Sequence, residues 1–295
     1  MRPLVIALPG NEALARRLTP MLGAELAQAE FRRFPDEESY VRLDSDVRGR
    51  SVVLVSTLDR PDPKFLALAF VAATARELGA SRVGLIAPYL AYMRQDRRFH
   101  PGEAITSRQF AHHLSRVVDW LITIDPHLHR ISVLSDIYSI PAVSVHASPF
   151  LADWIKNFVQ SPLLIGPDEE SAQWVEAVAN RAGAPFVILQ KHRRGDTDVE
   201  ISVPNVERWR NHTPVLVDDI ISTARTMIET LGHLGRSGMR PAVCIAVHAV
   251  FAPGALESLR AGGAARIVTT NTIAHETNAI DVTGPLSDAA ASLIA

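Results

Sequence analysis

The sequence predicts an α/β protein made of two similar doubly wound domains, each with a parallel sheet. Short apolar runs of strand length alternate with longer stretches of helical periodicity along nearly the whole chain, and this alternation is typical of parallel sheets covered by helices. The length of 295 residues, 47% of them hydrophobic, suits two domains of ordinary size better than one large one. We place the boundary near residue 145, which gives domains of residues 1–145 and 146–295.

Each element of the first domain follows from its apolar spacing. Continuous apolar runs bounded by polar or turn residues indicate buried strands, and apolar residues three and four positions apart indicate helices. The runs predict strands at residues 4–8, 52–55, 83–87, 121–124 and 143–145, and a hairpin at 29–43. The helical spacing predicts helices at residues 12–22, 65–78 and 107–118.

The second domain is expected to repeat this plan. Strands are predicted at residues 163–165, 186–189, 199–203, 215–217, 243–247 and 266–269, and helices at 148–159, 171–181, 227–234, 254–260 and 286–294. By their layout, residues 83–97 match 185–196, and residues 120–127 match 214–222. The last helix, residues 286–294, is a candidate to pack back on the first domain.

Composition and charge exclude several classes of function. The net charge of −2 and the lack of a long basic run give no basis for nucleic-acid binding. The longest apolar stretch, residues 65–75, is too short to span a bilayer, and the run before Pro9 is too short for a signal peptide. The single cysteine, Cys244, cannot form an internal disulfide and is expected to be buried. We therefore expect a cytoplasmic protein with neither a nucleic-acid nor a membrane partner.

The most informative stretch is residues 214–227, PVLVDDIISTARTM. A short apolar strand ends in Asp218 and Asp219, and a hydroxyl-rich turn leads into a helix whose first amide groups favour a phosphate. Two carboxylates beside a phosphate are useful when the ligand also brings a sugar diol or a divalent cation. That combination describes a pentose phosphate. The alternative is an acidic strand end followed by an ordinary Ser/Thr helix cap.

A second group of candidate residues lies at the tip of the predicted hairpin, in the segment FPDEE. If the chain is extended there, Phe34, Asp36 and Glu38 share one face. An aromatic ring and two carboxylates suit the stacking of a purine and hydrogen bonds from ribose hydroxyls. The alternative is a polar hairpin tip with one half-buried phenylalanine, which the residues alone favour.

An arginine-rich segment follows the predicted strand at residues 83–87. Arg94, Arg97 and Arg98 stand around Gln95 and Asp96. Guanidinium groups bind phosphate oxygens bidentately, so a polyphosphate is the ligand that this segment suits best. The alternative is a solvated charged loop.

Two shorter segments also follow predicted strands. Asp125 and His127 stand two residues apart and suit a divalent cation or a phosphate oxygen, although a lone histidine is more often structural. Residues 191–196, KHRRGD, form a basic loop. Such a loop can close over a substrate as a lid, and the alternative is a basic surface turn.

These segments carry a resemblance to known enzymes. Residues 217–226, VDDIISTART, resemble the ribose-phosphate-binding motif shared by phosphoribosyltransferases and ribose-phosphate pyrophosphokinases. Five further segments resemble motifs of the pyrophosphokinases in particular. These segments are FPDEE (34–38), PYLAYMRQDRRFHPGE (88–103), D-P-H (125–127), P-D (167–168) and K-H-R (191–193). The resemblance covers nearly the whole chain and implies two domains of phosphoribosyltransferase type.

The resemblance implies an enzyme of nucleotide biosynthesis that transfers the diphosphoryl group of Mg-ATP to the C1 hydroxyl of ribose 5-phosphate. It implies that Lys191 and Arg193 are catalytic and that Mg²⁺ is held near His127 and Asp168. The implied ATP-binding residues are Phe34, Asp36, Glu38, Arg94, Gln95 and Asp96. The implied ribose 5-phosphate-binding residues are Asp218, Asp219, Ser222, Thr223, Ala224, Arg225 and Thr226. Because the FPDEE segment of that family reaches into a neighbouring subunit, a dimer-based homo-oligomer is also implied.

The chain departs from the family pattern in places, which keeps two other functions open. Many members have glycine where Ala224 and Arg225 stand. An arginine is costly if the second position needs a positive φ, and is tolerated if it lies in the first helical turn, which we favour. A phosphoribosyltransferase would share the sugar-phosphate motif but is not expected to have the arginine loop. A non-catalytic regulatory paralogue would have lost catalytic groups.

Overall fold

The computed structural model describes residues 1–128, 130–194, 198–202 and 206–294, and the chain divides into two compact units. The first unit contains Met1–Val145, Thr272–Ala274 and Val282–Ala295. The second unit contains His146–Asn271 and His275–Asp281. The boundary at Val145 falls directly after a strand, and two later segments return to the first unit.

The first unit is built on one parallel sheet and one antiparallel hairpin. Its strands are β1 (Leu4–Ala7), β2 (Glu25–Leu26), β3 (Ala29–Arg33), β4 (Ser39–Leu43), β5 (Ser51–Val55), β6 (Arg82–Ile86), β7 (Trp120–Ile124) and β8 (Ala142–Val145). Its first three helices are α1 (Glu12–Met21), α2 (Asp62–Glu77) and α3 (Thr106–Val117). The sheet order is β2-β1-β5-β6-β7-β8, and the continuous apolar runs of β5 and β7 are buried because helices cover such sheets on both faces.

The second unit has the same plan. Its strands are β9 (Pro162–Gly166), β10 (Phe186–Ile188), β11 (Gln190–Arg194), β12 (Asp198–Ser202), β13 (Thr213–Ile221), β14 (Val243–Ala249), β15 (Arg266–Thr270) and β16 (Asn278–Ile280). The remaining helices of the chain are α4 (Ser148–Phe158), α5 (Ala172–Ala182), α6 (Arg225–Arg236), α7 (Ala255–Ala261) and α8 (Thr283–Ile294). The sheet order is β10-β9-β13-β14-β15-β16. The predicted class, two doubly wound parallel sheets with helices, is confirmed.

The internal repeat is real, but the predicted alignment of its segments is wrong. By position in the two sheets, β9 corresponds to β1, β10 to β2 and β13 to β5. The predicted match of residues 83–97 with 185–196 would instead pair β6 with β10, and the other match would pair β7 with β13. A short apolar strand followed by charged residues is common to several strands of each unit. Such a pattern does not fix strand order, which the crossover connections decide.

An antiparallel hairpin occupies the same place in both units. In each unit the hairpin follows the edge strand of the sheet and precedes the third strand in sheet order. In the first unit β3 pairs with β4 from Ala29 opposite Leu43 to Arg33 opposite Ser39. In the second, β11 pairs with β12 from Gln190 opposite Ser202 to Arg194 opposite Asp198. The segments FPDEE and KHRR therefore belong to topologically equivalent hairpins.

In each unit, the helix that follows the last strand of the sheet along the chain belongs to the other unit. Helix α4 follows β8 along the chain but belongs to the second unit, where it packs on α5. Helix α8 follows β16 but belongs to the first unit, where it packs on α1. Helices α1 and α5 occupy equivalent positions, since each follows the second strand of its sheet. The helix predicted at residues 286–294 is thus part of α8, which packs on α1, the first helix of the chain.

Two smaller expectations concern the burial of Cys244 and the length of the helices. Cys244 lies in β14 and is buried, and burial raises the pKa of its thiol to about 12. In the described part of the chain, no helix is both long and apolar enough to cross a membrane.

Gly84 marks the closest packing in the first sheet. It lies in β6 directly beside Trp120 of β7, and a Cβ atom on Gly84 would overlap the Trp120 ring. Trp120 is fully buried, so the ring has no room to move away. The smallest side chain in β6 therefore makes room for the largest in β7.

We expect Gly84→Ala to lower the free energy of unfolding by about 1–3 kcal/mol, because overpacking forces side chains and backbone apart. Urea unfolding followed by circular dichroism measures the change. The matched control is Gly235→Ala in α6, where an added Cβ meets no atom within 4 Å. This control should be stabilised by about 0.5–1 kcal/mol, because alanine is the better helix former. Equal stability of Gly84→Ala and wild type would contradict the packing described here.

Candidate active site

The acidic pair lies inside a strand, and the predicted strand end was wrong by four residues. Strand β13 continues through Asp218 and Asp219 to Ile221. Asp218 stands opposite Ala246, and Ile220 opposite His248, of β14. Ladder hydrogen bonds to β14 extend the strand beyond its apolar run, and the sequence pattern carries no sign of them. Both carboxylates still lie at the carboxyl end of the sheet, where open parallel sheets bind ligands.

Asp218 is electrostatically perturbed by its surroundings in the second unit. It is half-buried, and its Oδ1 accepts a hydrogen bond of 2.9 Å from the amide of Asp219. Burial raises the pKa of the Asp218 carboxyl well above 3.8, and the neighbouring charges of Asp219 and Asp168 raise it further. Three carboxylates thus repel one another at the ends of β9 and β13. A cation, or a donor hydroxyl, would relieve that repulsion.

Asp168 is held by a local motif. Directly after β9, its Oδ1 accepts from the amide of Ser171 at 3.1 Å, and the Ser171 hydroxyl donates to the Asp168 carbonyl at 2.7 Å. This capping arrangement begins a short 3-10 helix, Glu169–Ser171. Gly166 precedes it, and a Cβ there would lie 2.8 Å from Ile188 and Val175. The close packing and the cap together fix the carboxylate of Asp168 at the strand end.

The hydroxyl-rich turn after β13 offers several donors. The Ser222 carbonyl accepts from the amide of Ala252 at 3.1 Å, which anchors the turn. The hydroxyls of Ser222, Thr223 and Thr226 have no hydrogen-bond partner within the described ranges. The first amide groups of α6 also have no carbonyl group of a preceding helical turn to which they can donate a hydrogen bond. Hydroxyl and amide donors at the start of a helix are groups that suit an anion, and we call this group of donors the anion seat.

The two family departures in this turn have different conformations. Ala224 has φ 59° and ψ 10°, the left-handed conformation. Arg225 is the first residue of α6 and has an ordinary negative φ. The expectation that Arg225 lies in the first helical turn is confirmed. The residue under conformational strain is Ala224, and Arg225 adds an exposed guanidinium beside the anion seat.

The hairpin tip at residues 34–38 is a turn, so the expectation of an extended chain was wrong. The amide of Phe34 donates to the carbonyl of Glu38 at 2.9 Å, and Glu37 has φ 70°. Because the chain reverses there, alternation does not decide which side chains share a face. The Glu37 carboxylate pairs with Arg33 at 2.8 Å. Asp36 and Glu38 remain exposed.

Phe34 sits in an aromatic and cationic cluster at the same tip. Its ring is 40% exposed and meets the Tyr40 ring edge-on, with centroids 6.0 Å apart. The guanidinium of Arg32 lies 4.6 Å from the Phe34 centroid and 3.9 Å from that of Tyr40. The exposed ring is therefore held in a fixed place.

The arginine loop, residues 88–103, has an inner and an outer side. Met93 and Asp96 are buried, whereas Arg94 and Arg97 are exposed. The Arg94 guanidinium has no partner in the part of the chain that the structure describes. The buried residues fix the loop to the unit, and the two arginines lie at its surface.

The rest of the arginine loop is closed by hydrogen bonds. The carboxylate of Glu103 accepts from the amides of Phe99 and His100 at 2.7 and 2.9 Å. The side-chain oxygen of Gln95 accepts from the Thr106 hydroxyl at 3.0 Å. The Gln95 amide nitrogen is thereby left for another acceptor.

The segment at the end of β7 is strained. Asp125 has φ 33° and His127 has φ 54°, and the His127 amide donates to the Asp125 carbonyl at 2.8 Å. The next candidate segment, at Lys191 and Arg193, lies in strand β11. The prediction of a loop was wrong for residues 191–194 because they pair with β12. Gly195, Asp196 and Val203 lie outside the described residues.

Left-handed backbone is concentrated in the candidate segments. The non-glycine residues with positive φ in the described ranges are Glu37, Arg60, Tyr92, Asp125, His127, Ser161 and Ala224. All but Arg60 and Ser161 fall in the hairpin tip, the arginine loop, the segment after β7 or the turn before α6. Such conformations are unfavourable by about 1–3 kcal/mol each and cluster at functional sites.

Sequence reasoning missed Arg130. Its Nη1 lies 3.3 Å from both oxygens of the Asp96 carboxylate, whose side chain is 3% exposed. A single arginine 34 positions from its partner carries no sequence signal, since both loops are rich in charge. In the described ranges, no group of three or more His, Cys, Asp or Glu side chains is arranged to hold a metal ion.

Duplicated parallel sheets, with acids and a hydroxyl-rich turn at a strand end, define a phosphoribosyltransferase-type protein. A family model described as the N-terminal domain of ribose phosphate pyrophosphokinase matches residues 4–117, and a phosphoribosyl transferase domain model matches 134–283. The chain belongs to the ribose-phosphate pyrophosphokinase family.

Relatives of nearly equal length support this membership. A ribose-phosphate pyrophosphokinase of Methanopyrus kandleri is 35% identical over 98% of this chain and 99% of its own. One from Saccharolobus solfataricus is 34% identical over 92% of this chain and 93% of its own. The crystal structure of phosphoribosylpyrophosphate synthetase from Mycobacterium smegmatis has a TM-score of 0.83 at 21% identity, over 100% of this chain and 98% of that one. The structural match concerns the fold.

We expect Asp218→Asn to stabilise the ligand-free protein near neutral pH. Folding raises the pKa of Asp218 above 3.8, so the folded state holds the proton more tightly than the unfolded chain does. Wild-type stability therefore falls as pH rises from about 4 through the folded-state pKa and stays low above it. The asparagine side chain does not titrate, so the gain should grow across that window and then level off. Urea unfolding at a series of pH values measures it.

The control for Asp218→Asn is Asp153→Asn, whose effect should have the opposite sign. Arg181 hydrogen-bonds the Asp153 carboxylate and holds its pKa below the usual range. This exposed pair contributes little, so the variant should lose a small amount of stability above about pH 4. A pH-independent effect of Asp218→Asn would show that Asp218 is not perturbed in the folded state.

We expect Ala224→Gly to raise the free energy of unfolding by about 0.5–1 kcal/mol, because glycine adopts the left-handed conformation without strain. Thermal unfolding monitored by calorimetry measures the change. The matched control, Ala177→Gly in the exposed interior of α5, should lower stability by about 1 kcal/mol. If both variants were equally destabilised, the left-handed conformation of Ala224 would be wrong.

Proposed function

We propose that the chain catalyses transfer of the β,γ-diphosphoryl group of Mg-ATP to the C1 hydroxyl of ribose 5-phosphate. The products are phosphoribosyl diphosphate, a precursor in nucleotide biosynthesis, and AMP. One observation carries the proposal: a chain of this family combines an anion seat next to three carboxylates with an exposed arginine loop. The first arrangement suits a sugar phosphate and the second suits a polyphosphate.

Ribose 5-phosphate is proposed to bind at the end of β13. The hydroxyls of Ser222, Thr223 and Thr226, which have no hydrogen-bond partner among the described residues, and the first amides of α6 suit its phosphate. Asp218 and Asp219 suit the ribose hydroxyls as hydrogen-bond acceptors. Arg225, and the backbone of Ala224 before it, complete the seat and supply a cation that many family members lack.

ATP is proposed to bind to groups of the first unit. Arg94 and Gln95 suit its phosphates, since the guanidinium and the amide nitrogen have no protein partner in the described ranges. Phe34 offers an exposed ring for the adenine, while Asp36 and Glu38 offer acceptors for the ribose. The resemblance assigns these hairpin residues to a neighbouring subunit's site, so a homo-oligomer is part of the proposal.

Magnesium is proposed to be the cofactor. Carboxylate oxygens are the ligands that this cation prefers, and Asp168, with its neighbours Asp218 and Asp219, fits that donor type. His127 is proposed as a further contact near the ATP phosphates. Magnesium would neutralise charge on the phosphate oxygens of ATP.

The chemical step forms one bond and breaks one bond. The C1 oxygen of ribose 5-phosphate bonds to the β-phosphorus, the bond from this phosphorus to the α,β-bridging oxygen breaks, and AMP leaves with the electron pair. The C1 hydroxyl proton passes to solvent. Lys191 and Arg193 are proposed to neutralise charge that builds on the β-phosphoryl oxygens. Such transfers depend mainly on positioning and electrostatics, so a dedicated general base is not required.

Incubation with ATP, Mg²⁺ and ribose 5-phosphate tests the proposal directly. We expect AMP and phosphoribosyl diphosphate in equal amounts, and AMP only when ribose 5-phosphate is present. A phosphoribosyltransferase would form no AMP from these substrates, and a regulatory paralogue would bind ligands without turnover. The predicted cytoplasmic location is checked separately by cell fractionation.

We expect Lys191→Ala to lower kcat by about 10²–10³ with a smaller change in KM, because the lysine acts on charge that develops in the transition state. Steady-state assays of AMP formation measure both constants. The control is Lys156→Ala on the exposed side of α4, which should leave both unchanged. Turnover of Lys191→Ala within about twofold of wild type would remove Lys191 from the mechanism.

A further inference from the structure

Asp96 and Arg130 form an ion pair that the resemblance does not assign. Their side chains meet with Nη1 of Arg130 3.3 Å from Oδ1 and 3.3 Å from Oδ2 of Asp96. Asp96 is almost entirely buried, with 3% of its side chain exposed, while Arg130 is 37% exposed. The pair joins two loops of the first unit, one after β6 and the other after β7.

The burial of Asp96 argues against a direct contact with ATP. A carboxylate would repel the triphosphate unless a cation stood between them, and the cation that Asp96 contacts is Arg130. Arg94, two positions before Asp96, is exposed, and Gln95, directly before Asp96, is half-buried with its side-chain oxygen bonded to the Thr106 hydroxyl. Asp96 is therefore placed to anchor these two residues from beneath.

The loop that Arg130 belongs to contains the strained segment at Asp125 and His127. Parallel strands β6 and β7 are neighbours in the sheet, so the loops that follow them leave the same edge. Further anchors of the arginine loop are Glu103 within the loop, Thr106 in the adjoining α3, and the Tyr92 hydroxyl, which donates to Asp62 of α2. In the described ranges, the ion pair with Arg130 is the side-chain link from Asp96 to the segment after β7.

We propose that Arg130 is a positioning residue for ATP: by pairing with Asp96 it fixes the arginine loop to the loop after β7, so that Arg94 and Gln95 face the triphosphate. This proposal rests on the proposed function and reassigns Asp96 from a ligand contact to an anchor. An arginine suits this task because its planar guanidinium holds both carboxylate oxygens and keeps its charge.

Kinetics and direct ATP-analogue binding test the proposal in Arg130→Ala. We expect the KM for ATP and the dissociation constant of a non-hydrolysable ATP analogue both to rise at least about tenfold, since a small displacement of binding groups has large effects. The KM for ribose 5-phosphate should stay within about twofold. Arg130→Lys should recover part of the loss, and thermal unfolding of each variant checks that it folds.

A double-mutant cycle separates an anchor from a ligand. If Asp96 acts through Arg130, Asp96→Asn should weaken ATP binding, and Asp96→Asn combined with Arg130→Ala should be no worse than the more severe single variant. If Asp96 touches ATP itself, Asp96→Asn alone would weaken binding while Arg130→Ala would not, which overturns the proposal. Additive effects of the two changes would also overturn it.

The matched control is Arg76→Ala. Arg76 pairs with Asp119 at 2.8 Å in the same unit and is 36% exposed, close to the value for Arg130. This variant should lose stability without a change in the KM for ATP. An equal rise in that KM would show that any broken ion pair in the unit disturbs ATP binding, and would contradict a specific role for Arg130.

The experiments distinguish a failure of the positioning role of Arg130 from a failure of the proposed function. If the wild-type protein forms no AMP, the proposed function fails, whereas binding of the ATP analogue still reports on Arg130. If AMP forms and Arg130→Ala binds the analogue as wild type does, the proposed function stands and the positioning role is wrong.

Discussion

In the second unit, the fold holds the carboxylates of Asp168, Asp218 and Asp219 close enough to repel one another. Asp218 and Asp219 lie in β13 and Asp168 in a capping motif after β9, so the backbone places the three carboxylates at the same edge of the sheet. The raised pKa of Asp218 is the physical sign of this constraint. A protein keeps such an arrangement at the expense of stability when a ligand that brings positive charge or donor hydroxyls relieves it.

The duplicated architecture shows that the two units have diverged at equivalent positions. Among the described residues, the side-chain hydroxyls of the turn after β13 have no hydrogen-bond partner, whereas the equivalent turn after β5 is bonded to other groups of its own unit. There the Thr57 amide donates to the Asn11 side chain at 2.8 Å, and the Thr57 hydroxyl donates to the Thr272 carbonyl at 2.6 Å. Lys64 of α2 pairs with Asp59 of this turn and donates to the Thr57 carbonyl. The turn after β5 is thus tied to its own unit by these bonds.

Equivalent hairpins have also acquired different residues. The hairpin of the first unit ends in an aromatic ring and exposed carboxylates, and that of the second unit carries Lys191 and Arg193 in its first strand. Both follow an edge strand, where a hairpin can vary without disturbing the buried sheet. This common position explains how one fold can carry two hairpins of different composition.

Local sequence patterns and the family resemblance predicted much of the fold and the candidate site residues. Buried strands such as β5 and β7 were evident because parallel strands covered on both faces are continuous apolar runs. The helical position of Arg225 followed from its place before an amphipathic helix. The short edge strands β2 and β16 were missed because they bury few side chains, and the end of β13 was misplaced because ladder hydrogen bonds, not hydrophobicity, carry it past Asp218.

Tertiary structure alone decided which distant groups meet. The sequence could not reveal that Asp96 pairs with Arg130, that Asp168 acts on Asp218, or that α4 and α8 are exchanged between the units. Each of these depends on strand order, and strand order is set by crossover connections that bring residues far apart in the chain to one edge of a sheet. The residue types suited to phosphate and sugar are written in the sequence, whereas their distances and mutual charges arise only from the fold.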